Sequence, residues 1–412
     1  MLEELGKRAK IASRILAHLP EADKNRALYA MADALEENEA PILEANAADC
    51  EKAQNDGMTT AFLDRLRLTP ARIASMAQAV RDVAALPDPV GRELEDKIRP
   101  NGLHIKKIAV PLGVIGVIFE ARPNVTADSA ALCLKSGNAV ILRGGSDAIR
   151  SNTAICKVLR AALSRAGIPE DCVQLVEDTS RESSLALMRL SDYLDVIIPR
   201  GGAGLIRAVV QNATVPVIET GTGVCHIYVD READIGMAAK IIHNAKTSRP
   251  SVCNAAECIL VHREIAEKAL PVIYEKLQSP KVEIRGDETT CRILSDAVKA
   301  TQDDWGREYG DLILACRVVD SMDEALAHIQ DYGTGHSEAI ITENKQSAAQ
   351  FLESVDAAAV YHNASTRFTD GGEFGLGAEI GISTQKLHVR GPVGLRELCS
   401  MKYKITGEGQ IR

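Results

Sequence analysis

Aromatic residues are scarce in this chain: Phe, Tyr and Trp make up 3% of its 412 residues, with one tryptophan, Trp305. A base-stacking platform for single-stranded nucleic acid needs more π-faces than that. Positive charge is in deficit too, with 48 Lys and Arg against 57 Asp and Glu and a formal net charge of −9. The cationic field that displaces phosphate counterions is therefore missing, and no nucleic-acid partner is expected. Long apolar runs are also lacking. The longest, Val114–Phe119, contains a glycine and is far too short to span a bilayer, so no membrane partner is expected. The opening MLEELGKRAK alternates charge and leads into no apolar core, unlike a signal peptide. Ten cysteines include no CxxC pair, nine histidines form no HExxH, and Cys253 to Cys258 is not a zinc spacing. Neither a disulfide framework nor a metal site is expected, and reduced thiols suit a cytoplasmic protein. What is present, 46% hydrophobic and 25% charged residues, is the composition of a globular enzyme. Its length corresponds to roughly two to three domains.

The region before Pro87-Asp88-Pro89 reads as helices. Leu5, Ala9, Ala12, Leu16 and Leu19 recur at helical spacing, as do Leu28, Met31 and Leu35, with breaks at Pro20, Asn38 to Pro41 and Asp56-Gly57. From Glu93 to Pro111, ELEDKI and LHIKKIAV flank Arg99-Pro100-Asn101-Gly102, and Asn-Gly between such segments predicts a hairpin. A hairpin with so little core of its own either packs on a partner or remains an exposed ribbon. After Pro111 the pattern turns α/β. Apolar runs at Gly113–Phe119, Ala139–Leu142, Val173–Val176, Val196–Ile198, Val215–Ile218 and Ile227–Val229 alternate with helical stretches, which predicts a buried parallel sheet. A second α/β stretch has runs at Cys258–Val261, Leu312–Leu314, Ala339–Ile341 and Ala357–Val360. Gly371–Gly381 is a loop with five glycines, and the tail Leu398–Arg412 holds an extended segment, SMKYKIT, suited to pairing with another edge.

Three segments could carry chemistry. In AVILRGGSDAIR (Ala139–Arg150) a buried strand runs into Gly144-Gly145 and then a helix, the place where an α/β sheet meets nucleotides. Arg143 and Ser146 offer donors that suit a 2′-phosphate, favouring NADP over NAD. Asp147 suits either a ribose diol or a helix cap, and an ordinary strand-to-helix turn fits the same residues. IIPRGGAGLIR (Ile197–Arg207) repeats the strand–glycine–helix order at Gly201-Gly202 but misses the dinucleotide fingerprint, since Arg207 stands where Gly or Ala belongs. In KTSRPSVCNAAEC (Lys246–Cys258), Cys253 follows Arg249-Pro250-Ser251. A helix starting at Ser251 would favour its thiolate, as a nucleophile requires, although a lone cysteine is more often a small core residue. His336, in YGTGHSEAI, stands in a glycine turn before a strand, where either a ligand contact or a structural role fits. Glu219 ends VPVIE before Gly221 and Gly223, as a base or a helix cap would.

Together these segments resemble the aldehyde dehydrogenase superfamily over essentially the whole chain, most specifically in VPLGVIGVIFEARPNVT (Val110–Thr126), LKSGNAVILRGGSDA (Leu134–Ala148), RPSVCNA (Arg249–Ala255) and YGTGHSEAI (Tyr332–Ile340). FEARPNVT and RGGSDA point within it to the members that reduce an acyl phosphate. The separation of Glu219 from Cys253 is the superfamily's glutamate-to-cysteine spacing. The resemblance implies an aldehyde-dehydrogenase-like α/β fold with two Rossmann-like domains and a protruding hairpin-and-tail element that builds oligomers. It assigns residues 1–93 and 112–245 to an NADP-binding domain, 246–389 to a catalytic cysteine domain, and 94–111 with 390–412 to the bridging β element. Cys253 matches the nucleophile, and Asn124 the oxyanion-hole asparagine. Arg143 matches the lysine that touches the adenosine ribose, Ser146 replaces the glutamate that grips its diol, and Glu308 matches the glutamate on the nicotinamide ribose. Glu219 occupies the place of the base that activates water in hydrolytic members, a role that would waste the acyl group here. The implied reaction is NADPH-dependent reduction of L-glutamate 5-phosphate to L-glutamate 5-semialdehyde, a step of proline biosynthesis. Arg122 and Arg249 are candidates for the leaving phosphate, and Arg367, His336 and Gly371–Gly381 for the rest of the substrate. A homo-oligomer, dimer or tetramer, and transient contact with a separate glutamate 5-kinase are expected. The rivals are an oxidising dehydrogenase that uses Glu219 as hydrolytic base and a non-catalytic scaffold.

Overall fold

The computed structural model describes residues 2–412, which divide into two compact units. The first comprises residues 2–220, 375–381 and 393–412, and the second residues 221–374 and 382–392. The first opens with five helices: α1 (Leu2–Leu16), α2 (Glu21–Glu37), α3 (Glu39–Asn55), α4 (Thr60–Leu66) and α5 (Pro70–Ala85). The periodic residues explain them. Ala9, Ala12 and Leu16 are buried on α1, and Leu28, Met31 and Leu35 on α2. At the start of α5, Thr69 accepts from the Arg72 amide and Pro70 fills a position that needs no N–H.

Next come β1 (Glu93–Ile98) and β2 (His104–Pro111), an antiparallel hairpin whose turn is closed by Gly102 N–H to Arg99 O at 2.9 Å. A four-stranded parallel sheet follows, built from β3 (Val114–Phe119), β4 (Ala139–Gly144), β5 (Val173–Leu175) and β6 (Val196–Arg200) in the order β5-β4-β3-β6. Its connecting helices are α6 (Asn124–Lys135), α7 (Ile149–Arg165) and α8 (Arg181–Met188), and α9 (Ala203–Asn212) leaves β6. The chain steps outward from β3 through β4 to β5, then returns to the other side of β3 as β6. That reversal is a topological switch point, where α/β sheets bind ligands.

The second unit holds a seven-stranded parallel sheet. Its strands are β7 (Cys225–Val229), β8 (Ala256–His262), β9 (Glu283–Gly286), β10 (Val298–Lys299), β11 (Ile313–Val319), β12 (Ser337–Ile341) and β13 (Ala359–His362), in the order β10-β9-β11-β8-β7-β12-β13. Five helices accompany them: α10 (Ile235–Thr247), α11 (Arg263–Lys276), α12 (Glu288–Ile293), α13 (Met322–Tyr332) and α14 (Lys345–Ser354). Every residue of β7, β8 and β12 is buried, which is why the runs Ile227–Val229, Cys258–Val261 and Ala339–Ile341 within them are apolar without alternation. A short pair, β14 (Ile382–Ser383) with β15 (Gly391–Pro392), also belongs here. In the first unit, β16 (Cys399–Thr406) pairs antiparallel with β2 along eight residues, so the tail completes a β1-β2-β16 sheet. No helix among the described residues is long and apolar enough to cross a membrane.

Two expectations about elements need correction. Ile227–Val229 does not continue the first sheet: as β7 it pairs with β8 and β12 in the second. Val215–Ile218 forms no strand, only an isolated bridge from Val217 to Ile197, because Pro216 has no N–H to continue a ladder.

Candidate active site

The strand ends of the first unit gather groups suited to an anionic nucleotide. β4 ends at Gly144, and Gly145 leads into a short 3-10 turn, Ser146–Ala148, before α7. Arg143 is half-buried there and donates through Nη2 to the carbonyls of Thr179 and Ser180, at 2.7 and 3.0 Å. Its Nε is buried without a partner, a donor still to be matched. Ser146 is exposed. Asp147 does not cap α7, whose N-cap position is Ala148 with no side-chain bond.

At the switch point, Gly201-Gly202 joins β6 to α9. The carboxylate of Glu120, just beyond β3, accepts the Gly202 amide at 2.9 Å. A helix start attracts anions through its unpaired amides and dipole. Here the chain's own carboxylate occupies it, a stand-in for a phosphate. With the orphaned Arg143 donor, this donor set fits a dinucleotide. Glu120 went unnoticed in the sequence because no spacing marks it. Its signal would have been an acidic residue just past the strand at a reversal of strand order.

Asn124 is exposed at the first position of α6, and its amide is oriented by Nδ2 donation to Asp128 Oδ2 at 2.8 Å. Burial pushes the Asp128 carboxyl up to about 6, opposed by that hydrogen bond and by Arg200. Arg122, two residues earlier, is half-buried, as is Glu219.

In the second unit Cys253 does not start a helix. α10 ends at Thr247, and Cys253 lies half-buried in the turn that precedes β8. Pro250 biases Arg249 away from helical backbone, and the apolar run that follows is recruited as a central strand. A helix dipole therefore does not activate this thiol. What flanks it is cationic. Arg367 is half-buried, donates through Nε to Ser248 Oγ at 3.0 Å and through Nη1 to Asn254 Oδ1, and is close enough to Arg249 and Cys253 to feel both. Burial first, and then Arg249, lower its pKa. Asn254, next to the cysteine, is held by Thr369 O at 2.9 Å and by Thr366 Oγ1 at 2.7 Å.

Beneath this turn, the thiol of Cys225 donates to the Cys253 carbonyl at 3.2 Å. His336 is fully buried. Its Nδ1 shares a hydrogen bond with Ser337 Oγ at 2.8 Å and faces Cys225 Sγ at 3.8 Å, and burial drives its pKa down to about 4. It is thus a neutral support of the turn, with no surface for a substrate. Glu308 is exposed in the loop before β11. The structure brings Cys253, Arg249 and Arg367 together and sets Gly371–Gly381 across the unit boundary, with Gly375–Gly381 in the first unit.

A second cluster lies deep in the same unit, where ligand atoms of His226, Cys258 and His328 approach within 4.8 Å. Arg317 Nη1 donates to His328 Nδ1 at 3.0 Å, so the proton of that ring sits on Nε2, which faces Cys258 Sγ at 3.7 Å. That nitrogen is a donor to sulfur and offers no lone pair to a metal.

The model of the aldehyde dehydrogenase family matches residues 2–294. Gamma-glutamyl phosphate reductase of Clostridium novyi is 59% identical over 404 residues, covering 98% of this chain and 97% of the relative, and that of Moorella thermoacetica is 60% identical over 407, covering 99% and 97%. The crystal structure of gamma-glutamyl phosphate reductase from Thermotoga maritima superposes with a TM-score of 0.97 at 52% identity, covering 100% of this chain and 99% of that one. An acetylating aldehyde dehydrogenase from Geobacillus thermoglucosidasius, 18% identical with a TM-score of 0.73 over 100% and 97% of the two chains, shares the fold.

Proposed function

The chain belongs to the aldehyde dehydrogenase family, and from that premise we propose that it is the oxidoreductase that converts L-glutamate 5-phosphate to L-glutamate 5-semialdehyde and phosphate in proline biosynthesis. The observation that supports this most directly is the turn of Cys253 with Arg367 and Arg249 beside it. An acyl phosphate needs a nucleophile and cations for its leaving group, and needs no proton donor. The Cys253 thiolate attacks the acyl carbon, and the oxyanion is taken by the Cys253 amide and Asn124, at about 3 kcal/mol per donor. The carbon–oxygen bond to phosphate breaks, and Arg249, Arg122 and Arg367 neutralise the departing dianion. A thioester remains on Cys253. The bound nicotinamide group supplies the two electrons and the hydrogen that reduce this carbonyl carbon. The resulting tetrahedral adduct expels the Cys253 thiolate and frees the aldehyde. Glu219 does not serve as a hydrolytic base in this reading, because activating water at the thioester would release glutamate; it either takes the thiol proton or is turned away from the thioester.

The nicotinamide cofactor is NADPH in this reading. Arg143 and the hydroxyl of Ser146 meet the 2′-phosphate, Gly144, Gly145, Gly201 and Gly202 let the backbone approach the diphosphate, and Glu308 holds the nicotinamide ribose. The protein works as a homo-oligomer built through the β1-β2-β16 sheet. It receives its labile substrate from a separate kinase.

The test is NADP reduction by purified protein given glutamate semialdehyde in equilibrium with its cyclic form, with and without phosphate. Turnover should require phosphate and disappear in Cys253→Ala. Phosphate-independent turnover that yields glutamate would instead mean a hydrolytic dehydrogenase.

A further inference from the structure

Lys246 and Glu257 are fully buried, and Lys246 Nζ meets Glu257 Oε2 at 2.6 Å. A buried ion pair is seldom more stabilising than apolar side chains of the same volume, so its retention calls for a role beyond holding the core together. Its position suggests one. Lys246 stands in the last turn of α10, Glu257 is the second residue of β8, and the pair closes the base of the turn that carries Cys253. The other oxygen of Glu257 accepts the amide of Gly310 at 3.2 Å. Gly310 has a φ of +62° with nothing within 4 Å of where a Cβ would stand, so it is backbone conformation rather than crowding that favours glycine there.

Gly310 follows Glu308 by two residues, and the loop is pinned from its other side as well. Tyr309 donates its hydroxyl to Asp304 Oδ1 at 2.8 Å, and Asp304 also receives Arg285 at 2.8 Å and the amide of Thr301 at 2.7 Å. The Tyr309 ring has Lys246 Nζ at 6.0 Å and the guanidinium of Arg285 at 5.2 Å from its centroid. The two residues that follow this exposed carboxylate, Tyr309 and Gly310, are thus tied to the base of the turn of Cys253.

We propose that Glu257 is a positioning residue: through Lys246 and Gly310 it holds the turn of Cys253 and the loop of Glu308 in one fixed relation, presetting the carboxylate that meets the cofactor's ribose. This rests on the roles given above to Cys253 and Glu308. Preorganisation of this kind acts on binding and rate through a group that touches no substrate itself.

The test replaces both buried charges at once, Lys246→Met with Glu257→Met, which leaves no unpaired ion. The melting temperature should stay within about 4 °C of the parent. In cofactor-free protein, amide hydrogens of residues 305–312 should exchange about tenfold faster. NADPH affinity, read from its fluorescence, should fall about tenfold, and by less than about twofold when the pair is removed in a Glu308→Gln background. Lys246→Met with Glu257→Gln restores a neutral acceptor for Gly310 and should recover most of both losses. Should the methionine pair not fold, Gly310→Val, which resists a positive φ in open space, is read by the same measurements. Unchanged exchange in residues 305–312, or a loss of affinity that adds fully to that of Glu308→Gln, overturns the proposal while leaving Glu308 in its role. A Glu308→Gln protein that binds NADPH as the parent does overturns the role of Glu308, and the proposal with it.

Discussion

A Cβ at residue 223 would lie 1.5 Å from the carbonyl oxygen of Cys253 and 2.7 Å from its Cα, so the segment before β7 touches the backbone of Cys253 directly. Only glycine permits that approach, and relief of the clash has to come from moving main chain. Gly223→Ala should therefore lower kcat by about 100-fold or more, as small displacements of reacting groups do. Circular dichroism would check that the protein remains folded, and a kcat equal to the parent's would show that the turn adjusts without cost. At this scale Cys253 was legible in RPSVCNA, and Arg143 with Ser146 in RGGSDA. Glu120, Cys225 and Glu257 were not. Each acts through a partner distant in sequence: Glu120 through Gly202, Cys225 through Cys253, and Glu257 through Gly310.

Elements follow local chemistry where that chemistry is strong. Asn101-Gly102 marks a hairpin that the structure contains, and the apolar periods of α1 and α2 mark their buried faces. The expected helix at Ser251 does not form because the apolar stretch that follows, Ala256–His262, is taken up as a central strand. β16 carries Met401, Tyr403 and Ile405 at alternate positions, hence on one face of its sheet, with exposures of 53%, 56% and 58%. Large apolar side chains left uncovered in a row call for a partner surface. With a second copy of the chain as that partner, Tyr403→Glu with Ile405→Glu should yield a smaller species by light scattering at an unchanged melting temperature. Retention of the parent mass would remove this sheet from the assembly.

For the whole molecule, a chain with a net charge of −9 that binds an anionic substrate and an anionic cofactor has to concentrate its cations locally. In the proposed reading Arg143 does this in the first unit, and Arg249 with Arg367 in the second. A ligand that binds only the folded chain stabilises it by mass action, by about 2.7 kcal/mol at a hundred times its Kd. NADPH should therefore raise the melting temperature more than NADH does at equal concentration. Ser146→Glu, which restores a diol-gripping carboxylate and repels the 2′-phosphate, should reverse that order in a thermal-shift measurement. An unchanged order would place the 2′-phosphate elsewhere.

The sequence by itself determined the family, the two parallel sheets and the glycine turns at their strand ends. These depend on contiguous residues, whose spacing and backbone preferences are local properties. Only the tertiary structure decided which sheet receives Ile227–Val229, what the tail strand pairs with, why position 223 is glycine, and that a buried Lys246–Glu257 pair ties the loop of Glu308 to the turn of Cys253. Each of these is a meeting of groups far apart along the chain, and such meetings are set by how strands order and pack.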